Sequence, residues 1–223
     1  RNKERNPILI DRYNTIMVKN LNRILLLVLF IISLTCCKSS YRFTKNQKSL
    51  IKMGDSSTPM RVLKITNPAD SILLRTKSSK IKVDPKDKIL KTFINRLYIT
   101  VRDSMSLGVG IAAPQVGVLK NIIWVQRFDK EKFPFEVYLN PEIVEYSYKK
   151  QPCLEGCLSI PKRRDTTYAR SETIMIEYDQ FNKKRAREEI SGFTAVIFQH
   201  EIDHLNGILY LDHLEKEKNQ HKN

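Results

Sequence analysis

The sequence predicts an α+β domain, with antiparallel strands and helices packed around one late helix. Three observations predict it. Strand-like runs rich in β-branched and aromatic residues follow one another in the middle of the chain: Ile122–Val125, Val137–Leu139, Ile143–Tyr146 and Thr173–Tyr178. They are separated by turn-forming stretches such as Asn140-Pro141 and Asp179–Asn182 rather than by helices, which disfavours an alternating α/β fold. The third is the helical pattern at 198–207, which comes after the strands and carries the chemistry.

The chain of 223 residues has the length of one domain with an appended segment. Its formal charge of +15 is unevenly placed, with 13 Lys/Arg against 3 Asp/Glu in residues 1–64, a net of +10. The remainder has an ordinary mixed surface, and no nucleic-acid partner is expected. Residues 1–16 contain no Met and are expected to be upstream read-through. From Met17 a short basic lead runs into the apolar stretch Ile24–Thr35, too short for a bilayer, which needs about 20 residues, but right for a signal-peptide core. Leu34-Thr35-Cys36-Cys37 follows and resembles a lipoprotein cleavage box with Cys37 as the residue to be lipidated, although Cys36 stands where Gly or Ala is usual. The segment 17–37 thus predicts an exported, membrane-anchored protein, the alternatives being an uncleaved anchor, a cytoplasmic protein or organelle targeting. Residues 38–58 are polar and Lys-rich and read as a flexible tether, followed by a catalytic domain over 59–215 and a charged tail over 216–223.

Within the domain, Arg61–Ile65 predicts a short strand and Asn67-Pro68 a turn. Asp84-Pro85 suits a helix start, and Leu90, Phe93, Ile94, Leu97, Val101 and Met105 recur at helical spacing, so a helix is predicted over 86–105. The segment Gly108–Gly117 is rich in small residues, as expected where the chain turns sharply or a ligand approaches the main chain. It lacks the third glycine and following helix of a dinucleotide site.

On the late helix, His200 and His204 are one turn apart on one face and can bind a single metal ion. Glu201 is displaced by roughly 100° around the axis, which suits a general base beside the ion rather than a ligand. Phe198, Ile202, Leu205 and Leu209 form the apolar phase; Ser191-Gly192 and Asn206-Gly207 mark the ends. Outside the leader the cysteines are Cys153 and Cys157. A disulfide between them, a closed Cys₂His₂ zinc site with both histidines, and an open site all remain readings of these residues, although the two pairs are much farther apart than in compact zinc fingers. A zincin-type protease would need a downstream ligand, for which Glu215 and Glu217 in the charged tail are the candidates.

Three motifs stand in order: Gly108, Gly110, Ala112, Ala113 and Gln115; Glu155–Ser159; and Gln199–His204. With them the stretch 60–213 resembles the peptide deformylases. That resemblance implies removal of the formyl group from N-formylmethionyl peptides by a monomeric metal-dependent hydrolase. Cys157, His200 and His204 would be the metal ligands, with Fe²⁺ as the metal and Zn²⁺, Ni²⁺ or Co²⁺ as substitutes. Glu201 would be the general base, and the Gln115 amide and the Leu158 backbone N–H the oxyanion donors. The substrate would pair with main chain at Val109-Gly110, which would account for the glycine, and its Met side chain would enter a pocket including Leu158 and Val196. Glu155 and Arg170 would form a supporting ion pair, in a region where the segment 162–170 is one residue longer than the family's pattern.

Overall fold

The structure, a computed structural model, describes residues 41–103, 107–182 and 184–220. The leader, the lipoprotein-like box with Cys37 and the start of the tether lie outside the described residues, as does the 104–105 end of the predicted helix with Met105. Among the described residues no helix is long and apolar enough to cross a membrane.

Among the described residues five α-helices and seven strands follow in the order α1 Lys45–Lys52, α2 Pro68–Leu74, α3 Lys88–Arg102, β1 Gly110–Ala112, a 3-10 turn Ala113–Val116, β2 Ile122–Gln126, β3 Phe135–Tyr146, β4 Lys150–Cys157, β5 Ile160–Ser171, β6 Thr173–Asp179, β7 Arg185–Ser191, α4 Gly192–Leu205 and α5 Tyr210–Gln220. Strands β1-β2-β3-β6-β7 form one antiparallel sheet in that order, and β4-β5 form a separate hairpin.

The main sheet is covered on both faces, because successive residues of its strands point to opposite sides. Ile111, Ile122 and Leu139 pack toward α1 and α3 through Ile51, Leu90, Phe93, Ile94, Leu97 and Val101. Their neighbours Ala112, Ile123 and Tyr138 pack toward α4 through Ala195, Phe198, Ile202 and Leu205. Helix α4 is buried around most of its circumference, which is what holds its few polar side chains in place. It ends as the sequence indicates, with Gly207 in the left-handed conformation (φ 73°) directly after Asn206.

Several expectations are corrected. The tether does not extend through 58: Thr44 and Gln47 form a capping box that starts α1, and Phe43 and Ile51 are core residues, so the folded part begins at Phe43. Two apolar residues within a Lys-rich stretch carry no visible periodicity, which is why the stretch reads as linker. The expected boundary between domain and charged tail after 215 falls inside α5, which continues to Gln220, and the Glu217 carboxylate accepts hydrogen bonds from the backbone N–H groups of Tyr168 and Ala169. Arg61–Ile65 is not a strand of either sheet; the backbone N–H groups of Leu63 and Ile65 donate single bonds to the Gln115 and Ser159 carbonyls. Asn67-Pro68 opens α2, with Asn67 as its cap, and Asp87 rather than Asp84 caps α3. Asn140-Pro141 is no turn: β3 runs through it, with Asn140 at φ 51° and its side chain bonded in both directions to the main chain of Ile81. The strands β4, β5 and β7 were not among the predicted ones, because their charged, alternating faces lack the apolar runs that mark buried strands.

Candidate metal centre and active site

Cys157 lies at the end of β4, and α4 presents His200 and His204 from successive turns toward it. One donor atom from each of the three lies within 4.8 Å of the others, a possible metal site. The Cys157 Sγ is 3.2 Å from His204 Nε2, and the two imidazole centroids are 5.1 Å apart. Burial works to raise the Cys157 thiol, but interaction with His204 and hydrogen bonds from both histidines outweigh it and hold the thiol well below its usual range. A thiolate with two imidazoles is a donor set that zinc, iron, nickel and cobalt all accept, and it leaves a position open.

The orientation of His200 is set from behind. Its Nδ1 donates to Glu155 Oε2 at 2.7 Å, which leaves Nε2 for the metal position. Tyr210 stacks on the same ring with 6.1 Å between centroids. Glu155 is in turn held by both Nε and Nη2 of Arg170, at 2.8 and 2.9 Å, and by the Thr167 hydroxyl. Burial pushes the Glu155 carboxyl up, but His200 and Arg170 prevail and keep it far below the usual carboxylate range. Arg170 reaches onward to Asp203 at 2.6 Å, and Asp203 also meets His213 Nε2 at 2.8 Å.

Thr167 and Arg170 are three apart and would face opposite sides of a regular strand. They meet the same carboxylate because β5 carries one extra residue between them relative to β4, where Gln151 pairs with Arg170 but Cys153 with Thr167. The extra residue is the exposed Tyr168-Ala169 step, whose two N–H groups Glu217 binds. The extra residue of β5 relative to β4 thus leaves Arg170 on Glu155.

Glu201, 4 % exposed, faces the same space from the side of α4. Its Oε2 is buried with no hydrogen-bond partner, and burial raises its pKa to about 7, a value matched to a general base at neutral pH. The Gln115 side chain is oriented by the Ala112 N–H, which donates to Oε1 at 2.8 Å. Its Nε2 is thereby aimed at the centre, 3.6 Å from Cys157 Sγ and 3.3 Å from Ser159 Oγ.

Gln115, Cys157, His200 and Glu201 line a cleft of about 740 Å³ that also includes Val109, Gly110, Leu158 and Val196, so every substrate-contact residue named from the sequence borders it. Gly110 meets a further constraint beside the pairing expected of it. An added Cβ there would lie 2.5 Å from Glu201 Oε1 and 2.9 Å from Ile197 Cγ2, so the glycine makes room for the carboxylate. Cys153 lines the cleft as a free thiol outside the three-donor group, so neither the disulfide nor the closed Cys₂His₂ site is formed. Among the described residues the group of donors includes neither Glu215 nor Glu217.

Sequence reading missed Thr167, Asp203, His213, Tyr210 and Ser159, all of which act through another side chain. Gln199 was visible in its motif without a role. It clamps α4 to the end of β5, donating to Ser171 and Ala195 carbonyls and accepting from the Ser171 N–H. Two of the missed residues offered a sequence signal: Ser159 as the last residue of the motif Glu155–Ser159, and Asp203 one turn from His200 on the same helix.

The family described as polypeptide deformylase matches residues 59–220. The peptide deformylase of Leptospira biflexa is 37% identical over 165 residues, covering 71% of this chain and 89% of that protein. That of Desulforudis audaxviator is 40% identical over 155 residues, covering 69% and 94%. Among solved structures, the class I type b peptide deformylase of Acinetobacter baumannii bound to Met-Ala-Ser superimposes with a TM-score of 0.62 at 30% identity, over 70% of this chain and 99% of that one. The Thermotoga maritima peptide deformylase gives 0.60 at 32%, over 70% and 97%. The chain therefore belongs to the peptide deformylase family, hydrolases that remove formyl groups from peptides.

Proposed function

We propose that this hydrolase acts on N-formylmethionyl peptides with Fe²⁺ held by Cys157, His200 and His204, each of which offers a donor atom to one point. Zn²⁺, Ni²⁺ and Co²⁺ suit the same donors. The bound ion would supply Lewis-acid polarisation of the formyl carbonyl. Glu201 takes a proton from the attacking water on its carboxylate and passes it to the departing amine, so that one group serves as base and then as acid. Negative charge developing on the formyl oxygen is met by Gln115 Nε2 and the Leu158 N–H. The fixed direction of the Gln115 amide supports that role.

Strand β1 is an edge of its sheet within the cleft, which suits main-chain pairing of an extended substrate at Val109-Gly110. Leu158 and Val196 would contact the Met side chain. The Met-Ala-Ser peptide bound to the Acinetobacter baumannii relative supports this class of ligand.

The observation that carries this reading is the three-donor group with the unpartnered Glu201 carboxylate in the same cleft. The test is formate release from formyl-Met-Ala-Ser by protein loaded anaerobically with Fe²⁺, beside Zn²⁺, Ni²⁺ and Co²⁺ preparations. Turnover highest with iron is expected, and no formate with any metal would overturn the reading. The leader before residue 38 supports a form anchored to a membrane through Cys37. Mass spectrometry of the membrane fraction should then show a diacylated Cys37 as the first residue, whereas a retained Met17 in the soluble fraction would refute the anchor.

A further inference from the structure

We propose that the cleft selects formyl peptides carrying acidic side chains in the first two positions after formylmethionine, an inference that rests on the deformylase reading. The carriers are Lys162 and Arg164. In the β4-β5 hairpin Cys157 pairs with Ile160 and Gly156 with Arg164, so Pro161, Lys162 and Arg163 loop out between them, with Lys162 in the left-handed conformation (φ 58°). All three border the cleft, as does Arg164. The Arg164 side chain lies across Gly156, the residue before the ligand Cys157: an added Cβ on Gly156 would meet its Cγ at 3.1 Å and Nε at 3.2 Å.

The charges do not cancel locally. Arg163 is paired with Asp165 at 2.7 Å, but among the described residues no ion pair engages Lys162 or Arg164. The acidic residues lining the cleft are Glu155 and Glu201. Glu155 is matched by Arg170 and His200, and Glu201 lies buried beside the donors. The remaining rim at Leu107, Leu154 and Phe193 is uncharged and exposed. A substrate leaving the centre therefore passes unpaired positive charge and no unpaired negative charge at the mouth. Val109, Gly110 and the hairpin residues 161–164 border the same cleft, and an extended peptide advances about 3.4 Å per residue, so within two or three residues a peptide leaving the centre along β1 reaches the hairpin wall. A concave wall of one charge sign favours the opposite sign in the ligand.

The test compares kcat/KM of the metal-loaded full chain on C-terminally amidated formyl-Met-Glu-Glu, formyl-Met-Gln-Gln and formyl-Met-Lys-Lys, with formyl-Met-Gln-Gln also as the free acid. The expected order is Glu, Gln, Lys. The Glu to Gln ratio should be about two- to tenfold at low salt, the range of one or two exposed ion pairs. It should shrink as salt screens the rim. In the Lys162→Gln/Arg164→Gln double variant the ratio should fall to about one; being a ratio, it is insensitive to any common loss of activity. Equal rates on all three amides in the wild type would overturn the proposal, as would a free-acid Gln peptide as good as the Glu amide, which would assign the rim to a terminal carboxylate. If no peptide were deformylated the deformylase reading would fail instead. Charge selection would still be read by calorimetric binding of Met-Glu-Glu-amide against Met-Gln-Gln-amide, where equal affinities overturn it.

Discussion

Gly110 and Glu201 share one small volume: a methyl group on the former would lie 2.5 Å from a carboxylate oxygen of the latter. The β1 main chain therefore forms the wall against which the base is positioned. Gly110→Ala should displace Glu201 and lower kcat/KM by about 10²-fold, since a positioned general base contributes roughly 10²–10⁴. Metal content should stay that of the wild type, because the atoms an added methyl would meet first belong to Glu201 and Ile197 rather than to Cys157, His200 or His204; kinetics and metal analysis on one preparation check both. An Ala variant with full activity would show that Glu201 can move without loss.

Glu201→Gln should keep the metal while losing activity by about 10²-fold or more. The same change has an opposite effect on the metal-free fold. Burial raises the folded pKa to about 7, above the ordinary 4.5. Stability from this group is thus fully present below about pH 4.5 and is lost as pH rises through about 7. Metal-free Glu201→Gln should therefore melt higher than metal-free wild type at pH 8, with the advantage disappearing toward pH 4.5. Thermal melts of both proteins across that window give the sign directly.

The buried pair Glu155–Arg170 predicts a coupled loss of stability and metal affinity. Arg170→Met leaves an ionised carboxylate facing His200 without its bidentate partner. Breaking a buried pair in this way costs about 3–5 kcal/mol, and loss of the group that orients a ligand weakens metal binding about 10–100-fold. Denaturant melts and metal competition measure the two effects; a change in melting with unaltered affinity would mean that Glu155 holds His200 unaided.

Helix α1 should be required for the domain. Ile51 is fully buried in the cluster that includes Leu90, Phe93 and Leu97. Ile51→Ala should cost about 2–5 kcal/mol. A chain starting at residue 59 should melt well below one starting at residue 43, and equal melting temperatures would return 43–58 to the status of a linker.

The sequence carried the chemistry because reactive groups are rare and their spacing is local. His200, Glu201 and His204 are legible from helical geometry alone, and the strands β2 and β6 from runs of β-branched residues. By itself it determined the α+β class, the three motifs and the end of α4 at Asn206-Gly207. Tertiary structure decided which cysteine joins the histidines. Residue type and spacing treat Cys153 and Cys157 alike, the motif Glu155–Ser159 separating them by resemblance alone, and the physical cause is that the end of β4 brings Cys157 to α4 and leaves Cys153 on the cleft wall. It also decided why Gly110 lacks a side chain, how an added residue in β5 is absorbed while Arg170 stays on Glu155, and that Phe43 and Ile51 belong to the core. Each of these depends on contact between segments distant along the chain. Periodicity and spacing report only the local backbone, so such contacts become visible once the sheet and helices have set the distances.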